Sequence, residues 1–197
     1  VVYVMVNFRK RYFNMHNLDF GKPSVIICNH QSFVDILVMM MLNPKVILLT
    51  NDWVYNSPFF GLSVRYAGYI KAAHLLGDLD RVKKKIAEGY SVVIFPESSR
   101  SWDDQMRRYH KGAFLLAEKL QLDITPVLLH GIGYAMSKGD FLIKNTTISI
   151  KALPRIKYDD PQYGETYRER TKNISRYIKK EYENLCISLA TSKYLRL

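Results

Sequence analysis

The sequence predicts an α/β fold, with a mostly parallel central sheet flanked by helices in a single domain. Short apolar segments rich in β-branched residues alternate along the chain with longer segments of helical periodicity. This alternation is typical of parallel sheets whose strands are joined by helical crossovers. The chain has 197 residues, 48% of them hydrophobic, which is enough for one domain with a substantial core. No repeat, low-complexity tract or Gly/Ser linker divides it.

Five segments are predicted to be strands, because each is short, apolar and bounded by turn residues. They cover residues 24–28, 46–50, 91–95, 124–129 and 146–152. Helices are predicted between and after these strands, at residues 34–42, 79–88, 111–120 and 166–190. Gly89 follows the second of these helices, at the position where a glycine commonly ends a helix.

His30 and Asp35 lie in the first strand-to-helix turn, in residues 29–35. An imidazole beside a carboxylate is the minimum equipment for a general base that removes a proton from a hydroxyl or an amine. His30 follows a buried strand and precedes a helix, which is where open α/β sheets bind their ligands. The pattern also has a structural interpretation, because Ser32 and Asp35 have the spacing of a capping box for the following helix. From this segment alone, both interpretations stay open.

A second polar cluster follows the apolar strand at residues 92–95. Pro96 ends ladder pairing there because it has no N–H. The next residues supply a carboxylate, two hydroxyls and a guanidinium: Glu97, Ser98, Ser99 and Arg100. Arginine is suited to holding a phosphate or carboxylate through two parallel hydrogen bonds. The alternative is a polar loop with an internal pair between Glu97 and Arg100.

Together, the two segments resemble two sequence blocks of the glycerolipid acyltransferase superfamily, which includes the lysophosphatidate and glycerol-3-phosphate acyltransferases. Residues 29–35 match its NHxSxxD block. Residues 95–101 match its FPEGTRS block, with Ser98 in place of Gly and Ser99 in place of Thr. Shorter matches extend the likeness from about residue 22 to about residue 150, at residues 56–61, 68–70, 111–114 and 124–127.

The resemblance implies an activity and a set of site residues. In that family the His acts as general base on the acceptor, which attacks the thioester of an acyl-CoA or an acyl carrier protein. His30 and Asp35 are therefore implied to be catalytic, with Asp35 holding the imidazole in the useful tautomer. The implied substrate-binding residues are Asn29, Ser32, Glu97, Ser98, Ser99, Arg100, Lys71 and His74. No bound cofactor is implied, since the acyl-CoA or acyl carrier protein thioester is a co-substrate.

One block departs from the family pattern and leaves the acceptor open. The family carries Gly-x-Ile-Phe-Ile-Asp-Arg where this chain has residues 68–74, with Ala73 at the Asp position and His74 at the Arg position. A neutral imidazole holds a phosphate less well than a guanidinium, and Lys71 is a candidate to compensate. The acceptor is thus either a glycerol phosphate or a lysolipid with another head group, such as an amino-acid lipid.

The chain carries 29 Lys and Arg against 18 Asp and Glu, a formal net charge of +11. Basic proteins bind nucleic acid, anionic membranes or acidic substrates. No helix-turn-helix, RNP or zinc-finger pattern is present in the sequence, so no nucleic-acid partner is predicted. The predicted partners are an anionic membrane surface, the acyl donor and the lysolipid acceptor. Basic clusters lie at residues 9–11, 83–85, 107–108 and 168–180.

Residues 1–20 are predicted to be a membrane-facing N-terminal segment, followed by an acyltransferase domain at residues 21–197. The apolar residues 1–6 are closely followed by the cations at 9–11, an arrangement that suits a membrane-surface anchor. No apolar run approaches the roughly 18–20 residues of a spanning helix. Peripheral association with the cytoplasmic face of a membrane is therefore expected. The chain does not begin with Met, and we expect it to be excised from a longer protein.

The two cysteines, Cys28 and Cys186, lie far apart in the sequence and predict neither a disulfide framework nor a metal site. Cys28 ends an apolar strand and is interpreted as a small buried hydrophobe rather than a nucleophile. Three classes of function then remain: an acyltransferase, a thioesterase-like hydrolase on the same scaffold, and a non-catalytic lipid- or anion-binding module. The acyltransferase is preferred on the family resemblance. The binding module is least favoured, because it has no use for His30 and Asp35 in this arrangement.

Overall fold

The computed structural model of the protein describes residues 8–32, 34–50, 70–71, 79–97, 106–135 and 146–194. The strands are β1 (Arg9–Phe13), β2 (Val25–Cys28), β3 (Val46–Thr50), β4 (Ile70–Lys71), β5 (Ser91–Ile94), β6 (Ile124–His130) and β7 (Thr147–Ala152). The helices are α1 (Val34–Leu42), α2 (Leu79–Ala87), α3 (Gly112–Leu120), the single turn α4 (Ile132–Ala135) and α5 (Tyr167–Tyr194). Short 3-10 helices cover Met15–Asn17 and Pro161–Tyr163.

These strands form one sheet of seven strands in the order β1-β7-β6-β2-β5-β3-β4. The strands β6, β2, β5, β3 and β4 are all parallel to one another, and β7 runs antiparallel to β6. The outer strand β1 runs parallel to β7. The predicted α/β fold with a mostly parallel sheet is confirmed.

The sheet is covered on both faces, which explains why its inner strands are continuously apolar rather than alternating. Val25 and Ile27 of β2 point to one core, which includes residues of α2, α3 and α5. Ile26 and Cys28 point to the other, which includes residues of α1 and α4. Each parallel strand therefore ends between two helical layers, and the segments that follow the strands lie at one exposed edge.

All five predicted strands and all four predicted helices are present, with ends that differ by a few residues. The helix before Gly89 ends as predicted. Gly89 has a φ of 88°, and hydrogen bonds run from Gly89 N to Ile86 O (2.9 Å) and from Tyr90 N to Lys85 O (3.0 Å). This is a Schellman ending, in which a residue with positive φ satisfies the last carbonyl groups of the helix.

Strand β1 was not predicted from the sequence. Its five residues, 9–13, include three cations, which do not resemble a buried strand. At the edge of a sheet, however, charged side chains reach solvent and discourage pairing with another chain. Residues 9–13 of the predicted N-terminal segment thus belong to the sheet, and a membrane-facing role for residues 1–20 stays a prediction.

The long helix α5 packs on the same face as α3. Arg170 forms an ion pair with Glu118 of α3 and donates to the carbonyl oxygens of Gly164 and Glu165 (3.0 Å each). Lys151 of β7 pairs with Glu181 at 2.7 Å. Within the part of the chain that the structure describes, none of the helices has both the length and the apolar character that crossing a membrane requires.

Candidate active site

The carboxyl ends of the five parallel strands bring the predicted site residues to one edge of the sheet. His30 follows β2, Glu97 follows β5, and Lys71 ends β4. His130, which ends the parallel strand β6, joins them. Because parallel strands end at the same edge, residues far apart in sequence meet there, as the sequence analysis expected for a ligand site.

His30 and Asp35 form the pair that the sequence predicted. His30 Nδ1 lies 2.9 Å from Asp35 Oδ2, within hydrogen-bonding distance. Asp35 is fully buried, whereas the His30 side chain is 17% exposed. A proton on Nδ1 that is donated to this carboxylate leaves the lone pair on Nε2. The imidazole is therefore held in the tautomer that accepts a proton through Nε2.

The carboxylate of Asp35 also caps helix α1. Its Oδ2 accepts hydrogen bonds from the backbone N–H groups of Gln31 (2.7 Å) and Ser32 (2.9 Å). In return, Ser32 Oγ accepts from Val34 N at 3.4 Å. The capping interpretation of this segment is thus confirmed, and the same carboxylate also contacts His30. The general-base role of the pair stays a prediction. Ser32 itself is fully buried in this cap.

The ring of His30 is fixed from a second side by Phe95, just after β5. The two rings are stacked, with centroids 4.6 Å apart and an angle of 30° between their planes. Contacts with Asp35 on its edge and Phe95 on its face restrict the imidazole to one orientation, which lowers the entropy that is lost when it meets a substrate.

Glu97 joins the two sequence blocks at the backbone. Its Oε1 accepts from His30 N at 3.1 Å and its Oε2 accepts from Arg107 N at 2.8 Å. The residue is buried, and this burial raises the pKa of its carboxyl group to about 7, although the two backbone hydrogen bonds act in the opposite direction. Glu97 thus bridges the His30 turn and the segment before α3. A substrate-binding role for it stays a prediction.

This buried carboxyl group gives a testable pH dependence. Its pKa is about 7 in the folded protein against an ordinary value of 4.5, so between these pH values the folded state holds more protons than the unfolded state. The free energy of unfolding therefore falls as pH rises from about 4.5 to about 7, by at most about 3.5 kcal/mol at ~1.4 kcal/mol per pKa unit. In Glu97→Gln this fall should be absent.

The measurement is chemical denaturation of wild type and Glu97→Gln between pH 4.5 and 8. The introduced side-chain amide also turns an N–H₂ group towards one backbone N–H donor, which lowers the variant's free energy of unfolding by an amount that does not depend on pH. Two curves with the same pH dependence would mean that Glu97 does not titrate in this range.

Asn29 has a structural contact that the sequence did not predict. Its side-chain Nδ2 donates to Leu129 O and its Oδ1 accepts from Leu129 N, each at 2.8 Å. The side-chain amide thereby acts as a further peptide unit in the ladder between β2 and β6. Asn29 is buried, and its predicted substrate-binding role stays a prediction.

The other predicted binding residues lie largely outside the described residues. Ser98, Ser99, Arg100 and His74 all fall there, and so does the side chain of Lys71. The backbone of Lys71 pairs with Thr50 at the end of β3, at the same edge of the sheet as His30. Substrate binding by these five residues stays a prediction.

A second polar group at this edge, around His130, was not predicted from the sequence. Tyr182 Oη of α5 accepts from Gln31 Nε2 (2.7 Å) and lies 3.2 Å from His130 Nδ1. Cys186 Sγ lies 3.6 Å from the same nitrogen. Since Gln31 N also donates to Asp35, the C-terminal helix is hydrogen-bonded to the turn that carries His30. No local pattern reveals this link, because its members lie 151 and 52 residues apart.

Cys28 lies at the base of the site and is fully buried. Burial, together with the nearby charges of Asp35 and Glu97, raises the pKa of its thiol well above the ordinary value. A thiol that stays protonated is a weak nucleophile, which agrees with its interpretation as a core residue. Among the described residues, no group of three or more His, Cys, Asp and Glu side chains is placed to hold a metal ion.

Known proteins are similar to this chain in sequence and in fold. The chain is 32% identical over 71% of its length to a 1-acyl-sn-glycerol-3-phosphate acyltransferase of Chlamydomonas reinhardtii, and the match covers 45% of that protein. A chloroplastic 1-acyl-sn-glycerol-3-phosphate acyltransferase of Arabidopsis thaliana is 30% identical over 62% of the chain and 36% of its own length. The chain thus spans less than half the length of these two relatives.

A solved structure has the same fold. It is the crystal structure of PlsC, the 1-acyl-sn-glycerophosphate (LPA) acyltransferase of Thermotoga maritima. The TM-score is 0.75 over 90% of this chain and 72% of that one, at 19% sequence identity. The model of the Acyltransferase family matches residues 9–130, which include both the His30–Asp35 turn and the Glu97 segment. The chain belongs to the acyltransferase family.

Proposed function

We propose that the protein transfers an acyl chain from an acyl thioester to the hydroxyl group of a lysophosphatidate-type acceptor, in membrane lipid biosynthesis. The observation that carries the proposal is the distance of 2.9 Å between His30 Nδ1 and Asp35 Oδ2 at the carboxyl edge of the sheet. This contact directs the basic nitrogen of a partly exposed imidazole away from the buried carboxylate, where an acceptor hydroxyl can reach it.

The reaction then needs no nucleophile from the protein. His30 Nε2 takes the proton of the acceptor hydroxyl as its oxygen attacks the thioester carbonyl carbon. The tetrahedral intermediate collapses with cleavage of the C–S bond, and the imidazolium returns the proton to the leaving thiolate. Asp35 stabilises the imidazolium between these steps, as the carboxylate does in hydrolase triads. The products are the acylated lipid and the free thiol.

The choice of acceptor is supported by the relatives, which are named for 1-acyl-sn-glycerol-3-phosphate. Arg100, Lys71 and His74 are proposed to hold its phosphate, and Ser98 and Ser99 its polar groups. The donor is an acyl-CoA or an acyl carrier protein thioester. Because the acceptor is a lipid, we further propose that the protein works as a peripheral protein on a membrane surface, on the cytoplasmic face.

The test is product analysis by mass spectrometry. The protein is incubated with isotopically labelled acyl-CoA and lysophosphatidate, and in parallel with 1-acylglycerol, which lacks the phosphate. We expect a labelled phosphatidate, with one CoA released for each acyl chain transferred, and little product from 1-acylglycerol. Removing the acceptor should stop CoA release.

Two outcomes would contradict parts of this proposal. Labelled fatty acid that forms at the same rate without acceptor would indicate a hydrolase that activates water at His30. A preference for 1-acylglycerol, or for an amino-acid lipid added to the same panel, would retain the acyl transfer but exclude the phosphate-bearing acceptor.

A further inference from the structure

A groove with a volume of about 960 Å³ lies beside the candidate site. One wall is the segment 106–111, which leads into α3, and the other is the N-terminal half of α5. Seven of its twelve lining residues are Lys or Arg, and none of the twelve is Asp or Glu. Its size is within the range of small-molecule and cofactor sites. The groove is therefore a concave cationic site rather than a flat basic surface.

The sequence of α5 produces its side of the groove. The lining residues on this helix recur at intervals of three and four, which places them on one face: Arg168, Thr171, Lys172, Ser175, Arg176 and Lys179. A second stripe, which includes Ile174, Ile178 and Tyr182, is buried in the core. The buried stripe fixes the helix, so the cationic stripe faces the groove over about 16 Å at 1.5 Å per residue.

Four of the groove's seven cations have no carboxylate partner within the part of the chain that the structure describes. Lys111, Lys172, Arg176 and Lys179 form no ion pair with any carboxylate among the described residues. The pKa of the Tyr167 hydroxyl is lowered, mainly by its hydrogen bond from Arg168, with further effects of the Arg168 and Lys111 charges. Cations from both walls therefore act on the same region, which favours an anion there.

The groove is connected to the His30 turn through two hydrogen bonds. Arg107, which lines the groove, donates its backbone N–H to Glu97 Oε2, and Glu97 Oε1 accepts from His30 N. On the other wall, Tyr182 lies about one helical turn after Lys179, and its hydroxyl accepts a hydrogen bond from the side chain of Gln31. One end of the groove therefore lies close to the backbone of the His30 turn, and a long ligand in the groove can extend towards the imidazole.

The shape and the residue types favour a soluble polyphosphate over a lipid surface. Membrane-binding surfaces combine cations with exposed apolar side chains that enter the bilayer. Here the apolar and aromatic lining residues are Met106 and Tyr109, half-buried and buried respectively. Two cationic walls facing each other instead suit a molecule with several phosphates, each held by charge-assisted hydrogen bonds.

We propose that this groove binds the nucleotide end of the acyl donor, so that the phosphates of CoA lie between the 106–111 segment and α5. The proposal rests on the proposed acyl transfer and adds the donor site to it. The pantetheine arm then extends towards Glu97 and His30 and presents the thioester there. Four of the seven cations of the groove are on α5, which lies outside the matched residues 9–130 of the family model.

The experiment measures CoA binding to the protein by isothermal titration calorimetry. Lys172→Glu/Lys179→Glu reverses two charges in the groove, and Lys157→Glu/Lys180→Glu is the matched control, with two exposed cations outside it. We expect the groove variant to raise the Kd for CoA by about tenfold or more, the effect of losing one charge-assisted contact. The control should change it by less than about twofold, because neither of its side chains lines the groove and solvent and salt screen exposed charges that make no direct contact.

Further probes keep the result interpretable. Lys172→Gln/Lys179→Gln, which only neutralises the charges, should give an intermediate Kd, and circular dichroism should report native helix content in all variants. Pantetheine, which has no phosphate, should bind wild type and the groove variant equally weakly. In transfer assays, the groove variant should raise the KM for acyl-CoA and leave the KM for lysophosphatidate unchanged.

An unchanged Kd for CoA in the groove variant would overturn the proposal. So would a loss of binding to vesicles of phosphatidylserine and phosphatidylcholine with CoA binding intact, which would make the groove a membrane contact. Binding of acyl carrier protein alone, without CoA, would overturn it as well. Groove-dependent CoA binding by a protein that transfers no acyl chain would retain the donor site and contradict only the proposed reaction.

Discussion

Replacing His30 with Ala is expected to lower the rate of acyl transfer by about 10²–10⁴-fold, the usual contribution of a general base. The imidazole is the group that removes the acceptor proton, and Asp35 cannot replace it, because Asp35 is fully buried. The fold should persist, since the His30 side chain is partly exposed and its backbone N–H still donates to Glu97. Steady-state kinetics should show the loss in kcat with little change in KM.

A second histidine provides the control. His16 lies in the 3-10 helix Met15–Asn17 after β1. That strand runs antiparallel to β6, so His16 is at the opposite edge of the sheet from His30. His16→Ala should therefore retain wild-type activity. If a folded His30→Ala variant transfers acyl chains at the wild-type rate, the general-base mechanism is wrong.

Much of this site could be predicted because its chemistry is local in sequence. The turn between β2 and α1 contains the imidazole, the carboxylate and the capping hydroxyl within residues 29–35. The pattern of apolar strands then locates that turn at the carboxyl edge of a parallel sheet. The strand that leads into the second block ends at the same edge. The sequence therefore predicted the pairing of His30 with Asp35 and assigned Glu97 to the same site.

The parts that were missed depend on contacts between distant residues. The cationic strand β1 is stabilised by pairing with β7, which begins 138 residues later in the register that joins Arg9 to Thr147. Tyr182 looks like an ordinary aromatic residue on the buried face of α5, and only the packing of that helix brings its hydroxyl to Gln31. Likewise, the hydrogen bond between the side chain of Asn29 and the backbone of Leu129 joins residues that are 100 positions apart. Propensity and periodicity carry no signal for such pairs.

Glu97 shows a related limit. The sequence analysis expected it either to pair with Arg100 or to bind a substrate, because a carboxylate in a polar loop ordinarily stays ionised and exposed. In the structure both of its oxygens accept from backbone N–H groups in a buried position. Burial of this kind depends on the return of the segment 106–110 to the end of β5, where His110 N donates to Pro96 O, and no local pattern encodes that return.

Replacing Asp35 with Asn should have the second large effect, on both rate and stability. The Oδ2 atom accepts from His30, Gln31 and Ser32 at once. A neutral amide cannot stabilise the imidazolium, and in trypsin-like triads the equivalent change lowers kcat by about 10⁴-fold. Weakening three buried hydrogen bonds should also lower the free energy of unfolding by about 1–3 kcal/mol.

Ser32→Ala separates the two roles of the Asp35 turn. This change removes the hydroxyl that caps α1 and retains the carboxylate beside His30, so it should cost about 1 kcal/mol of stability and leave kcat nearly unchanged. Because Ser32 is fully buried, KM for either substrate should also stay the same. A raised KM would instead support the substrate-binding role that the family resemblance implies for Ser32. Denaturant unfolding and steady-state kinetics of both variants provide the comparison. If Ser32→Ala lowers kcat as much as Asp35→Asn does, the turn acts by holding its shape, and orientation of the imidazole by the Asp35 carboxylate is not the source of the rate.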